Sequence, residues 1–206
     1  MRWRGPFAIA LSAVLTLSPL RHVAAEDRPQ AQPIRDVTVE YRLVTIDDSG
    51  APSSARTIKV YWAGGGALMR IEMADELSYV ILDRKAKVMT VVLLDQQGYV
   101  ELPYDPRRPT GFTVPADLPL TRAGTEIIVG NPCNVWVQKS DQGGTQLCVT
   151  DDGVLLHAEG RTSAHHDDLR ATSVIYGPAA PSKFAPPADF KKLNPPRSTA
   201  QKRAPG

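Results

Sequence analysis

The sequence predicts a mainly β domain built on a single antiparallel sheet. Apolar residues recur at every second position in short runs such as Val37, Val39 and Tyr41, which is the side-chain period of a strand. The connections between these runs are short and rich in Gly, Pro and Asp, which favours antiparallel pairing of consecutive strands. A helical apolar period is almost absent from the sequence.

The predicted strands follow one another closely, with a turn signal between neighbours. Gly64-Gly65-Gly66 separates the second strand from the third, and Asp151-Asp152-Gly153 is a tight-turn signal late in the chain. About 150 residues between the chain ends suit one hydrophobic core. In order, the strands are predicted at residues 37–43, 57–62, 69–73, 79–82, 88–94, 99–102, 125–129, 135–137, 147–149, 154–157 and 172–176.

The fourth and fifth predicted strands are apolar on both faces. Tyr79-Val80-Ile81-Leu82 enters an Asp-Arg-Lys turn, and the chain returns through residues 88–94 without a polar alternation. A strand with one face in water alternates polar and apolar residues, so both faces of this pair need cover. With almost no amphipathic helix in the sequence, loops, a second layer or a bound apolar ligand must provide it.

Residues 103–119 predict a long loop with one short helical turn at most, because they contain five prolines and show no periodicity. Long irregular segments often act as lids or binding loops. We expect Phe112→Ala to change ligand release more than stability. In this loop the side chains expected to face the sheet are Phe112, Val114 and Leu118, and those expected to face water are Arg107 and Arg108.

The first 25 residues have the pattern of a cleaved signal peptide. Arg2 and Arg4 precede an apolar stretch at residues 7–17, and small residues at 23–25 suit a cleavage site. An uncleaved membrane anchor is the alternative, although Pro19 and Arg21 interrupt the apolar run. This pattern predicts export to the periplasm.

The last 30 residues differ in composition from the rest of the chain. They carry six basic residues, one acidic residue and seven prolines, whereas residues 26–176 carry 15 basic and 21 acidic residues. Such a segment favours an extended polyproline conformation, and we expect Phe184 and Phe190 to hold it on the domain. The end of the tail is either solvated or in contact with anionic lipid or peptidoglycan. The predicted organisation is a signal peptide (1–25), a linker (26–35), the β domain (36–176), a packed Pro-rich segment (177–192) and a disordered basic tail (193–206).

Cys133 and Cys148 are the two cysteines of the chain and predict a disulfide. Both lie equally far from the Ser140-Asp141 junction of a predicted hairpin, so we expect them to be directly opposed and close enough to bridge. Export to an oxidising compartment favours the bond, and closing a loop of about 15 residues contributes roughly 3 kcal/mol. Two free buried thiols are the alternative; a structural zinc site would need four ligands.

No motif in the sequence specifies a reaction. His157, with the contiguous run from His165 to Asp168, has metal-ligand chemistry, but neighbouring strand residues point to opposite faces, and residues 161–169 fit a polar loop tip. The glycine run at 64–66 lacks the GK[ST] of a phosphate loop, and no nucleophile elbow is present. The acidic folded part disfavours nucleic acid. The sequence therefore predicts no enzyme activity, no cofactor, no metal and no nucleic-acid partner.

Several motifs resemble an envelope domain family of unknown function within the outer-membrane lipoprotein carrier (LolA-like) superfamily. The first group of motifs lies at residues 66–73, 79–85 and 88–92, and residues 130–136 and 148–155 resemble the Cys-bearing C-terminal half of that family. The resemblance covers about residues 36 to 190. It implies an incomplete, strongly curved antiparallel barrel whose concave face holds an apolar cavity closed by short helices or loops. Carriers of this superfamily bind acyl chains, but this sequence lacks their N-terminal amphipathic helix.

We therefore expect an exported, non-enzymatic binding protein for a lipid, acyl chain or other amphiphile. Its expected partners are a lipid or an acylated protein, with transient contact to the membrane surface or an envelope protein, and the chain is expected to be a monomer. Met69 and Met73 are among the residues expected to contact the ligand, and ordinary packing in the hydrophobic core is the alternative role for each. The alternative function is a structural or protein-interaction module of the periplasm, covered by its own loops or by a partner. The expected cavity residues are Trp62, Met69, Ile71, Met73, Tyr79, Ile81, Val92, Leu94 and Phe112.

Overall fold

The mainly β fold class is confirmed. The computed structural model describes residues 28–47, 50–108, 110–140, 143–161 and 165–195, and the predicted signal peptide and most of the predicted basic tail lie outside them. Twelve strands form one open, curved sheet. They are β1 (Val37–Asp47), β2 (Arg56–Ala63), β3 (Leu68–Met73), β4 (Ser78–Asp83), β5 (Val88–Leu93), β6 (Gly98–Pro103), β7 (Thr121–Ile128), β8 (Asn131–Ser140), β9 (Gly143–Val149), β10 (Leu155–Arg161), β11 (His165–Tyr176) and β12 (Lys191–Lys192).

The sheet consists of two antiparallel meanders joined at its centre. Its strand order is β12-β6-β5-β4-β3-β2-β1-β11-β10-β9-β8-β7, so β1 pairs with both β2 and β11. Strands β6 and β7 follow one another in the chain but lie at opposite sides of the sheet. The connection from Tyr104 to Leu120 must therefore cross from one side to the other. This crossing explains why a long, irregular loop interrupts a series of strands that are otherwise joined mainly by short turns.

The two faces of the first meander are covered by different segments of the chain. Met69 pairs with Trp62 and Leu82, so these three side chains share one face. The same buried cluster includes Phe112 and Val114 from the crossing loop. We call this the loop-covered face; both loop residues point inward, as predicted.

On the opposite face, Tyr79, Ile81 and Val92 form a second cluster, against which Phe184 and Phe190 pack. We call this the tail-covered face. The C-terminal segment reaches it through the 3-10 helix at Pro181–Phe184, which is the only helix in the described part of the chain. The predicted role of the two phenylalanines is confirmed. The chain's own segments thus cover both sides of the two-sided strand pair.

The N-terminal segment corrects the assignment of residues 26–35 to a linker, because its described part is packed into the domain. Pro33 is fully buried. The backbone N–H of Val114 donates to the Ala31 carbonyl at 2.9 Å, and that of Ile34 donates to the Asp152 carbonyl at 3.0 Å. The segment therefore ties the crossing loop to the turn between β9 and β10.

The Asp152 carboxylate fastens this segment electrostatically. It accepts hydrogen bonds from Arg35 Nε at 2.9 Å and Nη2 at 2.6 Å, and from the Thr150 hydroxyl. Burial of the carboxyl opposes ionisation, but the bonds from Thr150 and Arg35 outweigh it, and the pKa of Asp152 lies below its ordinary value. Arg35 is largely exposed, so solvent screens part of the interaction.

Asp152→Asn is expected to lower the free energy of unfolding by about 1 kcal/mol at pH 7. A lowered folded-state pKa gives stability that is present above the unfolded pKa, about 4, and that is lost as pH falls through the folded value. Urea unfolding at a series of pH values should show the gap between wild type and variant closing below about pH 4. A gap that is constant with pH would mean that the carboxylate charge contributes nothing.

The Cys133–Cys148 disulfide is present, with Cα atoms 5.4 Å apart. The predicted geometry differs in one respect. Cys148 lies opposite Val135 rather than Cys133, because β8 and β9 pair Ser140 with Gly143. The cysteines are therefore diagonal neighbours on the same face, which still allows the bond. A buried disulfide is typical of an oxidising compartment.

One further expectation needs correction. The stretch at residues 161–169 was expected to be a polar loop tip, but β10 extends to Arg161 and β11 begins at His165. Long β-hairpins tolerate polar residues where the strands face solvent, so polarity alone did not mark a loop.

In the described residues, no helix is long and apolar enough to cross a membrane.

Candidate functional site

A cavity of about 710 Å³ lies between the loop-covered face and the start of the crossing loop. Its floor is apolar and consists of Ile71, Val80, Leu82 and Met89. Strand register brings these side chains together, because Ile71 pairs with Val80 and Leu82 pairs with Met89. Three neighbouring strands thus present one continuous apolar surface to the cavity.

The side of the cavity formed by the crossing loop is polar, and a backbone hydrogen bond fixes the start of this loop to the sheet. Residues 103–105, 108 and 110 line it. The backbone N–H of Tyr104 donates to the Lys87 carbonyl at 2.9 Å, which fixes the start of the loop to the β4–β5 turn. The Tyr104 hydroxyl is buried, and no described residue forms a hydrogen bond with it. A buried polar atom without a hydrogen-bond partner is uncommon in folded proteins.

Charged groups surround the mouth of the cavity. Asp105 accepts hydrogen bonds from Arg107 Nε at 3.0 Å and Nη2 at 2.9 Å. These bonds lower the pKa of Asp105 to about 2, so the carboxyl is ionised and paired with Arg107 at neutral pH. Arg108 also lines the cavity and is exposed. The arrangement combines an apolar floor with a cationic group at the mouth.

A second cavity, of about 420 Å³, opens on the tail-covered face. Its charged residues include Arg70 and Glu72, and Tyr79 contributes an aromatic wall. The Arg70 guanidinium carbon lies 3.4 Å from the centre of the Tyr79 ring, and Arg70 Nε donates to Glu72 at 2.6 Å. Burial opposes ionisation of Glu72, but Arg70 and Lys183 outweigh it and the pKa of Glu72 is lowered. This cleft is a charged, aromatic site rather than an apolar one.

A family model described as "Domain of unknown function (DUF4412)" matches residues 52–169 of the sequence. The chain belongs to the DUF4412 family. The predicted resemblance to a family of unknown function is therefore confirmed. A search of curated proteins found no significant match.

Solved structures with a similar fold have low sequence identity to this DUF4412 protein. An uncharacterised conserved protein from Thermus thermophilus has 12% identity and a TM-score of 0.53, over 79% of this chain and 91% of that chain. A chain of the Pseudomonas aeruginosa MucA/MucB complex has 19% identity and a TM-score of 0.50, over 76% of this chain and 58% of that chain. A LolA superfamily protein from Nitrosomonas europaea, NE2245, has 10% identity and a TM-score of 0.40, over 75% of this chain and 92% of that chain.

The nine predicted cavity residues of the DUF4412 domain are divided among four environments. Ile71 lines the large cavity. Trp62, Met69 and Phe112 lie in the main core. Tyr79, Ile81 and Val92 form the small cluster beneath the tail, and Met73, Tyr79 and Leu94 line the charged cleft. The prediction therefore combined residues from opposite faces of the sheet.

Val80, Leu82 and Met89 were not among the predicted cavity residues, because their shared face depends on the strand register. Tyr104 was not among them either, because its position depends on the path of the crossing loop. Four residues separate β3 from β4, so Met73 would meet Ser78 and odd-numbered residues of β3 share a face with even-numbered residues of β4. Tyr79 and Ile81 therefore lie on the opposite face of the sheet from Ile71. The length of the connection was the signal that could have found Val80 and Leu82.

In the DUF4412 domain, Phe112 anchors the crossing loop rather than the cavity mouth. Its ring lies 5.5 Å from that of Tyr41, centroid to centroid. The Tyr41 hydroxyl donates to the Leu155 carbonyl at 2.7 Å, so Phe112 packs on a residue that joins β1 to β10. Burial raises the pKa of Tyr41 far above its ordinary value, which keeps the hydroxyl protonated and able to donate.

His157 and the run from His165 to Asp168 were the candidates for metal ligands. Within the described residues, no group of three or more His, Cys, Asp or Glu side chains is placed to hold a metal ion. His157 Nε2 instead lies 3.1 Å from Asp168, on the neighbouring strand β11.

Proposed function

We propose that the large cavity binds the acyl chain of a lipid or another amphiphile, and that this protein is an exported, non-catalytic binding protein. The cavity carries the proposal, because its floor is apolar while its mouth holds the cationic Arg108. Its volume of about 710 Å³ is within the range of small-molecule sites. An amphiphile would place its chain on Ile71, Val80 and Met89 and its polar head toward Arg108.

The energetics favour such a ligand. Burial of each CH₂ group contributes about 0.8 kcal/mol. A chain of about 14 carbons therefore gains on the order of 10 kcal/mol before the cost of association. The floor residues Ile71, Val80 and Met89 are only partly buried in the structure, so a ligand would remove additional apolar surface from water.

We further propose that the protein acts in the periplasm as a monomer, after cleavage of residues 1–25. The disulfide supports an oxidising compartment. The partners would be lipids or acylated proteins, with transient contact to the membrane surface or to an envelope protein. The basic residues of the C-terminal segment suit contact with an anionic surface.

Val80→Phe is expected to weaken binding of a fluorescent long-chain fatty acid at least tenfold, because the larger ring would project into the cavity from its floor and obstruct the acyl chain. A tenfold loss corresponds to about 1.4 kcal/mol. Val88→Phe is the matched control, since Val88 lies on the adjacent strand and pairs with Asp83, on the opposite face from Val80. The control should bind within about twofold of wild type. Equal affinity of all three proteins in a fluorescence titration would exclude this cavity as the binding site.

A protein-interaction module is the second candidate function. It is favoured by the covering of both faces of the first meander by the chain's own segments, which removes the need for a ligand as cover. A similar fold occurs in a chain of the Pseudomonas aeruginosa MucA/MucB complex, although at 19% identity. Failure of fatty-acid uptake by the folded wild-type protein would favour this candidate.

A further inference from the structure

The C-terminal segment occupies a groove on the tail-covered face, away from the proposed lipid cavity. We call residues 181–193 the strap. It runs over the first meander, with Lys183 near β2 and β3, Phe184 and Phe190 on the small cluster, and Lys191 beside β6. The floor of the groove contains Tyr79, Ile81 and Val92, with Tyr99 at its side.

The contacts of the strap are those that recognise an extended peptide. Arg70 Nη1 donates to the Lys183 carbonyl at 3.0 Å, and Lys183 Nζ donates to Glu72 at 3.3 Å. Lys183 Nζ also lies 4.8 Å from the centre of the Tyr61 ring. An aromatic groove that holds a proline-rich segment, with charged groups fixing its direction, is a recurring mode of peptide binding.

The end of the strap adds a short strand to the sheet. Lys191 and Lys192 pair in parallel with Gly98 and Tyr99 at the edge of β6. The Lys191 N–H donates to the Gln97 carbonyl at 3.0 Å, and the Leu193 N–H donates to the Tyr99 carbonyl at 2.7 Å. Strand addition at a sheet edge gives affinity through the main chain and leaves side-chain pockets to give specificity.

Gly98 shows how closely the strap approaches this edge. A Cβ atom at Gly98 would lie 2.6 Å from Leu193 Cδ1. However, little of the strap is buried. Its 3-10 helix contains no buried residue, and both residues of β12 are exposed. A segment with few buried residues opens at low free-energy cost.

The groove also continues beyond the strap. The charged cleft of about 420 Å³ shares Arg70, Glu72 and Tyr79 with the groove, and its rim includes Leu94. Leu77, whose carbonyl accepts from the Leu94 N–H, is two-thirds exposed beside it. A longer peptide could fill this cleft in addition to the groove, and these extra contacts would let it compete with a tethered segment.

We propose that the tail-covered face is a peptide-docking groove, and that the strap is its intramolecular ligand. The partner is an extended, proline-containing segment of another protein, with two aromatic side chains spaced like Phe184 and Phe190. It would pair with the edge of β6 and extend into the charged cleft. This inference is independent of the proposed lipid binding, which uses the opposite face.

The test uses the full chain with Phe184→Ala and Phe190→Ala, which weakens the strap without altering the groove. The probe is a dye-labelled synthetic peptide of residues 178–195, followed by fluorescence anisotropy. We expect the double variant to bind the peptide at least tenfold more tightly than wild type, because its own strap no longer competes. A peptide carrying the same two alanines is the matched control and should bind neither protein.

Hydrogen exchange provides the second measurement. In the double variant, amides at residues 98–101 should lose protection, and the added peptide should restore it. Binding of fatty acid should stay within about twofold of wild type, since the cavity lies on the other face. Equal peptide binding by both proteins, a double variant that loses its folded circular dichroism spectrum, or a dimer formed by exchange of straps would each overturn the proposal.

Discussion

Gly153→Ala is expected to lower the free energy of unfolding by about 3 kcal/mol or more. Gly153 has a φ of +90°, and a Cβ atom there would lie 2.1 Å from the Gln32 carbonyl oxygen. That oxygen belongs to the backbone of the packed N-terminal segment, so a side-chain rotation cannot relieve the clash. The segment would have to move away from the turn, and burial of Pro33 would be lost with it.

Gly130→Ala is the matched control for this prediction. Gly130 has a φ of +73°, but no heavy atom lies within 4 Å of the position of its Cβ. It should therefore show only the cost of a left-handed backbone, about 1–2 kcal/mol. Chemical denaturation of both variants separates the two effects. Equal losses would show that the N-terminal segment does not constrain Gly153.

Phe112→Ala is expected to destabilise the protein by about 3–4 kcal/mol. Its ring is buried against Tyr41 in the main core, and it is the largest buried side chain of the crossing loop. This expectation replaces the one made from the sequence, in which the substitution would mainly change ligand release. The physical reason is the position of the Phe112 ring. The cavity lies under residues 103–105, 108 and 110, whereas the Phe112 ring packs against Tyr41 of β1.

Phe112→Leu separates packing from gating. Leucine keeps much of the buried apolar volume, so this variant should recover more than half of the stability lost in Phe112→Ala. Urea unfolding gives the stabilities, and stopped-flow release of a fluorescent fatty acid gives the ligand kinetics. Faster release from Phe112→Ala with unchanged unfolding would show that Phe112 is part of a lid after all.

The strands could be predicted because their signal is local. Of the twelve strands in the described residues, eleven were predicted from apolar runs or apolar alternation bounded by turn residues, and only the two-residue β12 was missed. Its sequence is Lys191-Lys192, which has no apolar pattern, and it forms because Phe190 and Leu193 bring it to the edge of β6. These two residues act through contacts with strands that are far away in the sequence, so the pairing leaves no local signal at the two lysines.

The candidate site was harder to predict, because it depends on long-range topology. The apolar character of β3, β4 and β5 was evident, but their division between two faces depends on register. The cover depends on the unusual placement of β7 at the far edge, which sends the crossing loop over one face. Nothing in residues 103–119 alone specifies that destination.

Native mass spectrometry tests the central claim, that the cavity under the crossing loop holds an amphiphile, most directly. The protein, produced in a bacterial host from the full-length sequence, would be measured before and after lipid extraction and again after addition of palmitate. We expect an added mass that extraction removes and palmitate restores in wild type and in Val88→Phe, and that is lost or strongly reduced in Val80→Phe. A folded wild-type protein that stays at its bare polypeptide mass throughout would contradict the claim.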